Sequence, residues 1–113
     1  NSRALLRGGF YADRVTKNGI EVGKIFSKLA EKTNLTPAQL AILWVKDQPG
    51  ITAPLIGPRT LNQLKDLLPV AELKLSEDIR IACDNLVPPG SVLANFHNTA
   101  DWMKSKIDWE IKK

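Results

Sequence analysis

The chain contains 113 residues, of which 43% are hydrophobic, and it carries a formal net charge of +4. This length fits one domain with a modest core, and no apolar run approaches the roughly 20 residues of a membrane-spanning helix. The small basic excess favours an anionic ligand and is too weak to indicate nucleic-acid binding by itself. Cys83 is the only cysteine, which excludes an internal disulfide and favours a reducing, cytoplasmic compartment.

The first 16 residues show no helical or alternating periodicity. Residues 4–6 are apolar, and we interpret them as the end of a strand that begins outside this chain. A glycine-rich loop at residues 7–11 follows. The alternative is a frayed N-terminal arm.

Two helices are predicted next. Residues 20–32 place apolar side chains at intervals of three and four, which is typical of an amphipathic helix. The second helix begins after Thr36, where Pro37 fits the first helical position and Gln39 completes a capping box. It extends to about Lys46 and has little polar surface, so we expect it to be buried on most sides.

A strand, a turn and a third helix follow. Residues 51–56 form a short apolar run that fits a strand buried on both faces, although Pro54 gives up one ladder hydrogen bond. Gly57 and Pro58 form the predicted turn. Because a helix start is electropositive, Arg59 beside the helix at residues 60–68 predicts an anion site.

The same helix has two faces. Its leucines at 61, 64 and 68 share one side, whereas Arg59, Gln63 and Asp66 share the opposite side. Pro69 is expected to end this helix. A fourth helix is predicted from the cap Ser76 to about Leu86, and the aromatic residues after position 90 indicate a segment that docks onto a larger body or a partner.

Several of these segments together resemble the C-terminal part of the aldo-keto reductase family. The resemblance covers nearly the whole chain and is strongest at residues 35–76. It rests on Leu35-Thr36-Pro37-Ala38-Gln39-Leu40-Ala41, Trp44-Val45, residues 48–60, Gln63-Leu64, Leu75-Ser76, residues 86–90, Phe96-His97-Asn98 and Trp102-Met103.

The resemblance implies an α/β fold, namely the C-terminal part of a TIM (β/α)8 barrel that is mostly helical with one complete short strand. Such a barrel needs about 250 residues. Residues 1–113 would supply the end of strand 7 through helix 8 and the C-terminal tail. The expected activity of the full-length protein is hydride transfer from NADPH to a small aldehyde or ketone.

The resemblance also implies a set of cofactor-binding residues. In the family, the turn after strand 8 holds the adenosine end of NADP(H), so Arg59 would pair with the 2′-phosphate and Thr60 would add a hydroxyl contact. Gln63 and Asp66 match contacts to the adenine and its ribose. The positions carried over are Leu6, Arg7 and Gly8 at the pyrophosphate, and Gly57, Pro58, Arg59, Thr60, Gln63 and Asp66 at the adenosine end.

Gln63 and Asp66 could also have roles that involve no ligand. Thr60 and Gln63 themselves form a capping-box pattern, so Gln63 could serve the helix rather than a cofactor. Asp66 could be a solvated surface carboxylate. Tyr11 and His97 match no catalytic position of the family, and the sequence assigns no catalytic residue and no metal ligand.

The sequence leaves three functional hypotheses open. The first is the cofactor-binding segment of an NADPH-dependent reductase, inactive when isolated because the catalytic side chains lie upstream. The second is a small basic helix-turn-helix module for nucleic acid, which the apolar second helix makes unfavourable. The third is a barrel that senses NADPH without catalysis. The expected partners are NADPH, the carbonyl substrate, the remaining barrel portion or a second copy, and not a membrane.

Overall fold

The computed structural model describes residues 5–6, 15–91 and 93, and its ordered elements are helical. They are α1 (Lys17–Glu31), α2 (Pro37–Lys46), α3 (Leu61–Leu67), a 3-10 helix (Leu68–Glu72) and α4 (Glu77–Leu86). The chain divides into two compact units, Asn1–Glu21 with Gly90–Lys113, and Val22–Pro89. No helix in the described part is long and apolar enough to cross a membrane.

The core of the second unit is small. Leu40 of α2 is fully buried and packs with Ala30 of α1 and Cys83 of α4. Phe26 and Trp44 are partly buried against this cluster. Burial raises the pKa of the Cys83 thiol, with a further contribution from the charge of Asp84. The cysteine therefore acts as a small apolar side chain joining three helices.

The predicted start and end of α2 are confirmed, but its predicted burial on most sides is wrong, since only Leu40 and Leu43 of its ten residues are fully buried. The Thr36 hydroxyl accepts a hydrogen bond from the Gln39 backbone N–H at 3.2 Å, and the Gln39 Oε1 accepts one from the Thr36 N–H at 2.9 Å. The helix ends at a turn in which the Ile51 N–H donates to the Gln48 carbonyl. Gly50 has a φ of +83° there, which a residue with a Cβ tolerates poorly.

The predicted bounds of the other helices need correction. α1 begins three residues early because Thr16 accepts from the Gly19 N–H. α3 ends at Leu67, before Pro69 as predicted, but the chain continues as the 3-10 helix Leu68–Glu72, which contains Pro69. Ser76 lies at the start of α4, but its hydroxyl does not cap a backbone N–H.

The predicted strand at residues 51–56 is wrong for this chain. These residues form an irregular segment without ladder pairing, and Leu55 is 101% exposed. A strand exists only when a neighbouring strand satisfies its backbone groups, and the described residues provide none. The strand end assigned to residues 4–6 is also wrong at Leu5 and Leu6, which are helical, because a helix satisfies its backbone groups locally.

Asp47 fastens the segment before α4 to the end of α2. Its carboxylate accepts from the Lys46 Nζ and from the Leu75 N–H, each at 2.7 Å. The Lys46 Nζ also donates to the Leu73 carbonyl at 2.9 Å. Burial raises the pKa of Asp47, but the hydrogen bonds from Lys46 and Leu75 and the charges of Lys46 and Lys74 outweigh it, so the net pKa is lowered.

The lowered pKa of Asp47 predicts acid sensitivity. A carboxyl whose pKa is lower in the folded state stabilises the fold above its unfolded pKa of about 4 and loses that contribution as pH falls through the folded pKa. We expect Asp47→Asn to reduce the dependence of unfolding free energy on pH below about pH 4. Urea unfolding of both chains from neutral to acidic pH measures this, and parallel pH profiles would contradict it.

Candidate functional site

The start of α3 carries the sequence-predicted site. Thr60 is the N-cap, and its hydroxyl accepts from the Gln63 N–H at 3.2 Å. The Gln63 Oε1 accepts in return from the Arg59 N–H at 2.7 Å and the Thr60 N–H at 3.3 Å. The capping role of Gln63 is therefore confirmed, although its Nε2 takes no part in the cap.

The capping box occupies some of the backbone N–H groups at the start of α3 and leaves others available to a ligand. It occupies the N–H groups of Arg59, Thr60 and Gln63. No protein acceptor is found for the N–H groups of Leu61 and Asn62 within the described part of the chain. The donors left for an anion at this helix start are therefore these two N–H groups and the Arg59 side chain.

Arg59 is exposed, and its guanidinium forms no ion pair with the residues that the structure describes. A Cβ built on the neighbouring Gly57 would meet no atom within 4 Å. The φ of Gly57 is not in the left-handed region, so the fold itself does not require glycine here. An open backbone beside an unpaired guanidinium suits the close approach of a phosphate-bearing ligand.

Asp66 has a structural partner that sequence reasoning missed. The Nε2 of Gln39 donates to the Asp66 carbonyl at 2.7 Å and to its Oδ1 at 3.3 Å. The capping glutamine of α2 thus also holds the last turn of α3. The two residues lie 27 positions apart in sequence, so the sequence pattern does not identify them as partners. The sequence does show that the capping box uses only the Oε1 of Gln39, which leaves the Nε2 able to donate to another residue.

The leucine face of α3 is mostly exposed. Leu64 is half-buried, whereas Leu61 and Leu68 are 64% and 56% exposed. Of the predicted pyrophosphate residues, Leu6 is 67% exposed, and Arg7 and Gly8 lie outside the described residues. Tyr11 and His97 also lie outside them.

The polar side chains of α2 and its C-terminal turn are occupied. Gln39 binds Asp66, and Lys46 binds Asp47 and the Leu73 carbonyl. Gln48 donates to the Asp84 Oδ1, which also accepts from the Trp44 Nε1. Gln39, Lys46 and Gln48 are the base-reading candidates of the helix-turn-helix hypothesis, and their internal bonds disfavour it.

Comparison with known proteins identifies the family. The Aldo/keto reductase family model matches residues 2–87. The Bacillus subtilis protein named uncharacterized oxidoreductase YrpG is 36% identical over 90 residues, covering 79% of this chain and 27% of its own length. The Schizosaccharomyces pombe aldo-keto reductase yakc (NADP(+)) is 30% identical over 90 residues, covering 71% of this chain and 26% of its own length.

A shorter match, 39% identical over 51 residues, is to Escherichia coli protein tas and covers 45% of this chain and 15% of that protein. No solved structure matches the chain significantly. The chain spans about a quarter of the length of the two relatives that it matches over 90 residues. On the match over residues 2–87, the chain belongs to the Aldo/keto reductase family.

Proposed function

We propose that residues 1–113 are the C-terminal portion of an NADPH-dependent aldo-keto reductase barrel, from the end of strand 7 through helix 8 and the tail. The match to the Aldo/keto reductase family over residues 2–87 carries this proposal. The full-length protein would reduce a small aldehyde or ketone in the cytoplasm. The isolated chain would hold cofactor-binding residues without catalysing the reaction.

The exposed apolar surface of the chain supports a larger fold. Among the described residues, only five hydrophobic side chains are fully buried, whereas fourteen large ones are exposed. Leu55 and Ile56 belong to the irregular segment at residues 51–56, which has no neighbouring strand among the described residues. Because a barrel strand is paired on both edges and covered by helices on its outer face, the remaining barrel portion would bury this segment.

The side chains at the start of α3 support the proposal that this site binds the adenosine end of the cofactor. The Arg59 guanidinium is exposed and unpaired within the described residues, and a guanidinium suits a phosphate monoester. The Gln63 Nε2 would donate a hydrogen bond to the adenosine part of the cofactor while its Oε1 caps the helix. Asp66 would accept a hydrogen bond from the adenosine part with the carboxylate oxygen that Gln39 does not bind. Thr60 would hold the helix start in place through the cap. Gly57 and Pro58 would let the cofactor approach the backbone closely.

In this assignment Leu6, Arg7 and Gly8 lie along the pyrophosphate. When bound, NADPH supplies the hydride that reduces the carbonyl carbon. The residues of this chain hold the cofactor in place and exchange no proton with the substrate. A protein that senses NADPH would use the same residues of this chain.

Activity assays on the full-length protein and on this chain test the proposal. We expect the full-length protein to oxidise NADPH in the presence of an aldehyde such as 4-nitrobenzaldehyde, and the 113-residue chain to do so no faster than buffer. Fluorescence titration of the chain with NADPH is expected to show weak binding or none. Activity in the isolated chain would overturn the assignment, and NADPH binding without turnover by the full-length protein would favour the sensor.

A further inference from the structure

A pair of hydrogen bonds joins the start of α2 to the last turn of α3. The Nε2 of Gln39 donates to the Asp66 carbonyl oxygen at 2.7 Å and to the Asp66 Oδ1 at 3.3 Å. Because an amide NH2 group has two hydrogens, one nitrogen serves both acceptors of a single residue. We call this arrangement the Gln39–Asp66 clasp. Both residues lie in the unit Val22–Pro89.

The Gln39 amide is also held through its oxygen. The Oε1 accepts a hydrogen bond from the Thr36 N–H at 2.9 Å as part of the α2 capping box, and the Gln39 side chain is half-buried. Because the amide oxygen is bound to a donor at the start of α2, the nitrogen is the atom left to bind α3. The capping box of α2 therefore fixes the orientation of the clasp.

Pro69 leaves the Asp66 carbonyl with one donor fewer than usual. A carbonyl near the end of a helix accepts from the N–H three or four residues further along the chain, and proline has no N–H. Pro69 stands three residues after Asp66, at the second position of the 3-10 helix. The Gln39 Nε2 donates to this carbonyl in place of that missing N–H, which ties the end of α3 to α2.

The clasp binds one carboxylate oxygen of Asp66. The side chain is exposed and forms no ion pair with the residues that the structure describes. An exposed aspartate populates several staggered rotamers, and a hydrogen bond to its Oδ1 favours one of them. Asp66 lies three residues after Gln63 and therefore on the same face of α3, which is the face that the proposed cofactor site uses.

We propose that Gln39 is a positioning residue of the cofactor site and holds the Asp66 carboxylate in place for the adenosine part of the dinucleotide. This inference rests on the proposed function, in which Asp66 accepts a hydrogen bond from adenosine with its other oxygen. An acceptor that is already ordered binds more tightly, because less conformational entropy is lost on binding. Gln39 acts through Asp66 and not by contact with the cofactor.

A purely structural role for Gln39 leads to different expectations. A residue that only fastens α2 to α3 would, when substituted, lower the free energy of unfolding and leave the nucleotide affinity of the folded protein unchanged. A positioning residue lowers that affinity. Because adenosine is common to NADPH and NADH, both affinities should fall by the same factor, whereas the loss of Arg59 should affect NADPH alone.

Gln39→Glu in the full-length protein tests the proposal. Glutamate keeps the capping box, since its carboxylate accepts from the Thr36 N–H, but it has no hydrogen to donate and its charge repels Asp66. We expect the dissociation constants of NADPH and NADH, measured by fluorescence titration, to rise together by about three- to tenfold, which corresponds to one hydrogen bond.

Gln48→Glu is the matched control. The Nε2 of Gln48 donates to the Asp84 Oδ1 at 3.0 Å, so the substitution makes the same chemical change opposite an aspartate of α4 instead of α3. We expect it to leave both nucleotide affinities unchanged. Circular dichroism and urea unfolding check that each variant is folded. Gln39→Met, which has a similar length and no amide, replaces Gln39→Glu if that variant does not fold.

Asp66→Ala separates the positioning role from a general effect on the fold. Gln39→Glu should cause no further loss of affinity in Asp66→Ala, because the carboxylate through which Gln39 acts is absent. Three results would overturn the proposal and leave the proposed function intact: unchanged affinities in Gln39→Glu, an equal loss in Gln48→Glu, or the same loss with and without the Asp66 carboxylate. If the unsubstituted full-length protein showed no saturable binding of NADPH, the proposed function itself would be wrong, and this proposal with it.

Discussion

Leu40→Ala is expected to lower the free energy of unfolding of this chain by about 3 kcal/mol. The side chain has no exposed surface and packs with Ala30 of α1 and Cys83 of α4. Alanine would remove the apolar contacts and leave a cavity that three helices can collapse into only partly. Because a chain of this size has a total stability of only about 5–10 kcal/mol, the loss should be large in urea or thermal unfolding.

Leu55→Ala is the matched control for that substitution. Leu55 is fully exposed in the irregular segment at residues 51–56, so its truncation should change the unfolding free energy of this chain by less than about 0.5 kcal/mol. In the full-length protein the same substitution should cost about 2 kcal/mol or more if the segment becomes a buried barrel strand. A small effect in both proteins would contradict the barrel assignment, and a small effect of Leu40→Ala would contradict the helical core.

Arg59→Ala in the full-length protein is expected to weaken NADPH binding about 10- to 100-fold, because a hydrogen bond to a charged group contributes about 1.5–3 kcal/mol. NADH lacks the 2′-phosphate, so its affinity should be nearly unchanged. Fluorescence titration with both nucleotides gives the ratio directly. Arg59 donates only its backbone N–H to the α3 cap, and alanine keeps that N–H, so the helix start should survive.

The control for Arg59→Ala is Lys65→Ala, which removes one positive charge from the last turn of the same helix. We expect it to change the affinities for NADPH and NADH alike, and only slightly. An equal loss of NADPH and NADH affinity in Arg59→Ala would show that the side chain supports the fold of the site rather than the 2′-phosphate.

The parts of this structure that depend on short stretches of sequence were predictable. Thr36 and Gln39 define the start of α2, and Thr60 and Gln63 define the start of α3, because a capping box involves residues three positions apart. Both boxes are present. The same locality explains why the family was recognisable from the segment around residues 35–76.

The parts that depend on distant partners were not predictable. Residues 51–56 have the composition of a buried strand, but pairing needs neighbours that this chain does not provide in the described region. The contact of Gln39 with Asp66 and the bonds of Trp44 and Gln48 to Asp84 join residues 27 to 40 positions apart.

Pro54, in the irregular segment at residues 51–56, affects the solubility of the isolated chain. An apolar segment with open backbone groups invites a second molecule to add a strand, which is how ordered aggregates begin. Pro54 lies between Ile51 and Leu55 and has no N–H to donate, so an intermolecular ladder would be interrupted in the middle of its most apolar stretch. Pro54, which is unfavourable in a paired strand, thus protects this segment against pairing with a second molecule in the isolated chain.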